Sequence, residues 1–134
     1  MKAATIPSKE ELFMIRESIL LPHMMTMVEK SRIDIEQSLN PMRDLISRFM
    51  VVMLDTINAD LVKIKIAMSK ANIKVWDEDH QGDVLYYRYR FRGYEESFGM
   101  IREVMRAQIS VGLGEYGRKC INLNQRSDHD APNC

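Results

Sequence analysis

Apolar residues recur at Leu12, Ile15, Ile19, Leu20, Met24, Met27 and Val28, the three-and-four spacing of one helix face. Ser8 followed by Glu11 opens this stretch as a capping box, in which a hydroxyl and a carboxylate take up backbone N–H groups that a helix start leaves unpaired. Pro22 falls inside the pattern. It has no N–H to give to the Ser18 carbonyl and its ring crowds that turn, so a kink or break is expected there, with the helix resuming to about Gln37.

A second helix is signalled by Asn40, a good N-cap, and by Pro41, which suits the first helical position. Ile46, Phe49, Met53, Ile57, Leu61, Ile64, Met68 and Ala71 then follow at steps of three or four, and Asn72 ends the run. The stripe predicts an unbroken helix of about 30 residues and about 45 Å. A first helix interrupted at Pro22 covers only part of such a stripe. The rest is expected to pair with a second copy of the chain, through Phe49, Met53, Ile57, Leu61 and Ile64.

The period then changes to two. "IKVW" and "VLYYRYRF" are rich in β-branched and aromatic residues and flank the polar "DEDHQGD", which predicts a β-hairpin at about residues 73–92. Leu85, Tyr87, Tyr89 and Phe91 take the face toward the helices. Arg88, Arg90 and Arg92 take the other, roughly 6 to 7 Å apart along the strand. Lys74, Trp76 and Tyr86 join that outer face if the partner strand pairs in its natural register. After Gly93, "YEESFGMIREVMRAQI" returns to helical spacing through Tyr94, Phe98, Ile101, Met105 and Ile109, with Glu95 and Glu96 in the favourable first turn. Gly112, Gly114 and Gly117 weaken that helix toward its end. Residues 119–134 have little to bury and are expected to form a disordered tail behind a single domain of residues 1–118.

The expected fold is mainly α (α+β): two long antiparallel helices, a β-hairpin and a C-terminal helix, in the order α-α-β-β-α. At 134 residues the chain suits one domain with one core. Eleven methionines read first as a Met-rich helical core, although Met also lines adaptable binding surfaces.

Charge narrows the function. With 19 basic and 19 acidic residues the net charge is zero, so any affinity for nucleic acid must be local. The outer hairpin face, Lys74, Trp76, Tyr86, Arg88, Arg90 and Arg92, has the composition used to hold phosphates and stack bases. The same arginines also serve simply to keep an edge strand soluble, and Glu95, Glu96 or Glu103 are placed to neutralise them.

Other chemistry is poorly represented. Asp77, Asp79, Gln81 and Gly82 imitate the start of a calcium loop, but its twelfth position is Arg88, a cation where a bidentate Glu belongs. His23, His80 and His129 lack ligand spacing, and Cys120 has no recognisable base. No nucleophile elbow, phosphate loop or paired-carboxylate motif is present, so no enzyme activity, metal or cofactor is expected. Two cysteines, Cys120 and Cys134, do not make a disulfide framework and fit a reducing cytoplasm. The opening "MKAATIPSKEE" does not read as a signal peptide, and the longest apolar run, Phe49 to Leu54, is too short for a bilayer.

Leu21-Pro22 in an apolar helix, a long second helix, and a strand pair ending in Arg92-Gly93-Tyr94 together resemble the small YhjD-like proteins of bacilli and their phages. The likeness spans roughly residues 10 to 118. It implies a bacterial or phage origin and brings no catalytic residues. Helices followed by a charged hairpin and another helix also resemble the winged-helix DNA-binding outline, which requires the second helix to break near "DTINADL". The expected function is a small non-enzymatic interaction or regulatory protein that self-associates through its helices. A nucleic-acid-binding regulator using the hairpin arginines, or a phage-encoded inhibitor of a host protein, are the alternatives.

Overall fold

Helix α1 (Lys9–Gln37) starts where Ser8 caps it. The Ser8 N–H donates to Glu11 Oε1 at 2.9 Å and the Glu11 N–H donates to Ser8 Oγ at 3.2 Å, the reciprocal capping box expected. The computed structural model describes residues 7–78, 80 and 82–130, with side chains described to residue 122. Of the kink or break expected at Pro22, the break does not occur: α1 is one helix across it. Pro22 removes one backbone bond, but Leu20, Leu21 and Met24 around it are buried, and the Thr26 hydroxyl donates to the Pro22 carbonyl at 3.0 Å. Burial of three large side chains outweighs one lost hydrogen bond.

Helix α2 (Arg43–Lys70) begins two residues after the expected proline start. Asn40 still organises the turn, because its Oδ1 accepts the Met42 N–H at 2.9 Å and its carbonyl accepts the Arg43 N–H at 3.0 Å. Asn72 ends the helix in the left-handed region at φ 57°, which Asn tolerates better than most residues. Between these ends α2 is unbroken, so the break at Asp55–Leu61 that a winged helix needs does not occur.

A continuous α1 changes the fate of the α2 stripe. Met53, Ile57 and Leu61 are buried, and Phe49 and Ile64 are half-buried against the same core, together with Ile15, Ile19, Leu20, Leu21, Met24 and Val28 of α1. The positions expected to join two copies are therefore covered by the chain's own first helix. At the hairpin tip the buried Ser47 hydroxyl donates to Glu36 at 2.7 Å, so a polar group inside the contact is satisfied.

Strands β1 (Ile73–Asp77) and β2 (Val84–Phe91) form the expected hairpin, and a third strand, β3 (Tyr94–Ile101), adds to its far side. The sheet is antiparallel in the order β1-β2-β3. This corrects the reading of residues 94–101 as helix. Arg92 and Gly93 both have positive φ, 51° and 85°, and a two-residue turn of that kind returns the chain onto β2 with matching twist. Tyr94, Phe98 and Ile101 fit a helical period, but alternation places Phe98 and Met100 on the core face and Glu95, Ser97 and Gly99 on the other. The fold class remains mainly α (α+β), now in the order α-α-β-β-β-α.

Helix α3 (Arg102–Asp130) carries Met105, Ile109 and Cys120 into the core. Its backbone continues through residues expected to form the tail, because fully buried Cys120 anchors it beside Thr56 of α2 at 3.6 Å. Gly112 lies within this helix and allows it to approach α1; a Cβ there would collide with the Met24 methyl. Residues 131–134, including Cys134, lie outside the described residues, as do the side chains of 123–130, including His129. Met24, Met53, Met68, Met100 and Met105 are all buried, which makes the core Met-rich. Among the described residues no helix is long and apolar enough to cross a membrane.

Candidate functional site

Cross-strand partners share a face, so the register decides which side chains meet. Lys74 pairs with Arg90 and Trp76 with Arg88, while Tyr86 lies opposite Gly99. Lys74, Trp76, Tyr86, Arg88 and Arg90 therefore share the outer face of the sheet, as the alternation predicts. Arg92 does not join them. It sits in the β2–β3 turn, with its guanidinium 4.5 Å from the Phe91 ring centroid and 3.5 Å from Glu11 Oε2 of α1.

Acids offset much of the positive charge of this face. Glu95 on β3 is directly opposite Arg90 and accepts from it at 2.7 Å. The same carboxylate meets Arg88 at 3.3 Å, and Glu78 meets Arg88 at 3.3 Å from the other side. The hydrogen bond from Arg90 is the main reason that the Glu95 carboxyl is held below the ordinary carboxylate range, with Arg88 adding to it. The Arg90 guanidinium also lies 5.9 Å from the Trp76 ring centroid. The addition of β3 thus supplies an acid, Glu95, that bridges two of the arginines.

A second place is built on the free edge of β1. A cleft of about 580 Å³ runs between that edge and the two long helices. All of β1 lines it, from Ile73 to Asp77. Around the proline of α1 it meets Ser18, Ile19, Pro22, His23 and Thr26. From α2 it meets Lys65, Met68 and Ser69, and Tyr87 of β2 lies at its inner end. His23 Nε2 and Tyr87 Oη are 3.4 Å apart, and the His80 ring tilts against Tyr87 with 5.5 Å between centroids. Burial pushes the Tyr87 phenol up from its ordinary value, Asp77 pushes in the same direction, and Arg102 opposes them. Two of the three histidines that lack ligand spacing in sequence, His23 and His80, are thus brought to one tyrosine. Among the described residues no group of His, Cys, Asp and Glu can hold a metal ion, and Asp79 and Gln81 of the calcium-loop imitation lie outside them.

A polar junction joins the three helices. The Tyr116 hydroxyl of α3 donates to Asp60 Oδ2 of α2 at 2.6 Å, and Lys119 lies 3.6 Å from the same oxygen. Burial pushes the Tyr116 phenol up, and the bond to Asp60 adds to this because it is made by the protonated form. Glu17 of α1 is pushed up chiefly by burial, then by Glu115 and Asp60, against a smaller lowering by Arg16. A carboxyl whose pKa is raised on folding makes the native state bind more protons than the unfolded state above about 4.5. Stability then falls as pH rises through that window. Glu17→Gln is expected to raise the melting temperature at pH 7, with the advantage shrinking toward pH 4. Parallel thermal melts at the two pH values check this, and an equal change at both would remove the electrostatic explanation.

The model of the family described as YhjD protein matches residues 6–120 of the chain. No curated protein and no solved structure matches it.

Proposed function

The chain belongs to the YhjD family, and from that premise we propose that it is a small non-enzymatic interaction or regulatory protein that pairs with a second copy of itself. The contact surface in this reading is the outer side of α2, opposite the stripe that α1 covers. One observation carries it. Leu45, Val52, Val62 and Ile66 are all exposed on that side, Val62 at 47% and Ile66 at 52%, although the inner stripe already supplies the core. With Arg48, Asp55 and the exposed Ala59 they continue a three-and-four repeat along the helix, the pattern of a helix-pairing seam.

A second copy suits this surface better than a strongly charged partner. Arg48, Asp55 and Lys63 give the side both signs of charge, so like surfaces are not driven apart. Ala59, near its middle, lets two backbones approach closely. The Val62→Glu/Ile66→Glu double variant tests the reading. It is expected to run as a monomer by size exclusion with light scattering at tens of micromolar, where the wild type runs as a dimer. Its melting temperature should change little apart from the loss of association, because both side chains are half in solvent. A double variant that dimerises like the wild type would remove the α2 face from the proposal.

The nucleic-acid reading relies on Lys74, Trp76, Tyr86, Arg88 and Arg90. Glu95 and Glu78 already engage two of those cations, which leaves that reading with less support. A cytoplasmic location in a bacterial or phage setting belongs to the same proposal; the free, buried thiol of Cys120 suits a reducing compartment.

A further inference from the structure

We propose that the cleft between α1, α2 and the free edge of β1 binds a small amphipathic carboxylate, a monoanion with a medium-chain acyl or aryl body. The inference is separate from self-association, because the cleft lies at the sheet end of the helices and includes none of Leu45, Val52, Val62 and Ile66. Its volume of about 580 Å³ is that of a site for a small organic ligand. Ile19, Met68 and Ile73 are buried and give it apolar walls, and Trp76 lines it at the strand edge. A chain or ring laid there leaves water on one side and gains dispersion contacts on the other.

Charge selects the sign of the ligand. Lys65 comes from α2 and Lys74 from β1, and among the described residues neither has an ion-pair partner. Asp77 is the acid of the cleft, three residues along the strand from Lys74 and so about 10 Å away. An anionic head therefore sits at the lysine end and the apolar body runs toward Tyr87. There the Tyr87 hydroxyl, already in contact with His23, closes the cleft with a polar group. A cationic amphiphile would meet two lysines for one aspartate. A nucleotide would find none of the glycine-rich backbone or arginine forks that hold phosphates.

Trp76 is the only tryptophan in the chain and it lines the cleft, so its emission reports binding directly. The full-length protein would be titrated with decanoate below its micellar range, and in parallel with decanol and decylamine. The expected result is a saturable emission change with decanoate, with weaker responses to the neutral and cationic chains. In Lys65→Gln/Lys74→Gln the decanoate affinity should fall about tenfold, as two partly solvated charge contacts are lost. Ser69→Phe, which fills the cleft from α2, should abolish the response while the melting temperature confirms a folded protein. Equal binding of decanol or decylamine, an unchanged affinity in the lysine variant, or no saturable response by about 1 mM would each overturn the proposal. Light scattering on the same samples reads association separately, so failure of one proposal is not mistaken for failure of the other.

Discussion

Phe91→Ala is expected to lower folding stability by about 3–5 kcal/mol, the usual range when a large aromatic is removed from a closed core. Phe91 is 1% exposed, at the end of β2, and its neighbours across the sheet are Ile73 on one side and Tyr94 on the other. The ring is packed in the core cluster on one side and lies 4.5 Å from the Arg92 guanidinium on the other, so the variant loses both apolar burial and that cation contact. The matched control lies one and three residues away on the opposite face. Arg88→Glu/Arg90→Glu breaks three ion pairs and adds repulsion beside Glu95, yet every partner is at least partly in solvent, so a much smaller loss than that of Phe91→Ala is expected. Urea titrations of the two variants compare them directly. A large loss in the arginine variant with a small one in Phe91→Ala would mean that the two faces of the sheet are reversed.

Ile57→Ala is expected to cost about 2–5 kcal/mol. Ile57 is 0% exposed, in the middle of α2, inside the core that α1 closes. The sequence alone placed it in a contact between copies, and the two placements differ in a measurable way. A residue buried within one chain destabilises that chain when cut back, and the folded variant still pairs through the other side of the helix. A residue buried only between chains would instead leave a stable monomer that no longer pairs. Denaturation midpoints, taken with wild type and variant at the same protein concentration, separate these outcomes.

The error over Ile57 has a definite origin. Pro22 is the strongest local helix-breaking signal in α1, and reading it as an interruption left half of the α2 stripe without cover. Tertiary packing of Leu20, Leu21 and Met24 overrides it, and that packing is not visible in a one-dimensional pattern. Features set by neighbouring residues were legible: the Ser8–Glu11 capping box, the unbroken α2 and the faces of β2 all follow from local spacing. The hairpin register also followed, because Lys74 and Trp76 had to share the face that leaves Ile73 and Val75 inward.

What depends on distant pairing was less legible. Residues 94–101 satisfy both a helical and an alternating period, and the choice is made by the positive-φ turn at Arg92–Gly93 and by hydrogen bonding to β2. With β3 misread as helix, Glu95 was seen as a helix-start acid and only secondarily as the partner of Arg88 and Arg90. The cleft was missed altogether. Its residues come from four separated segments, and none of these carries a motif. Pro22-His23 in an otherwise apolar stretch was its one sequence sign.

Sedimentation equilibrium of the wild-type protein between about 1 and 100 μM is the decisive test of self-association, because it reads mass without assuming a contact surface. Self-association through the exposed side of α2 predicts a monomer–dimer equilibrium in that range, with the dimer dominant at its upper end. A monomer throughout would contradict it.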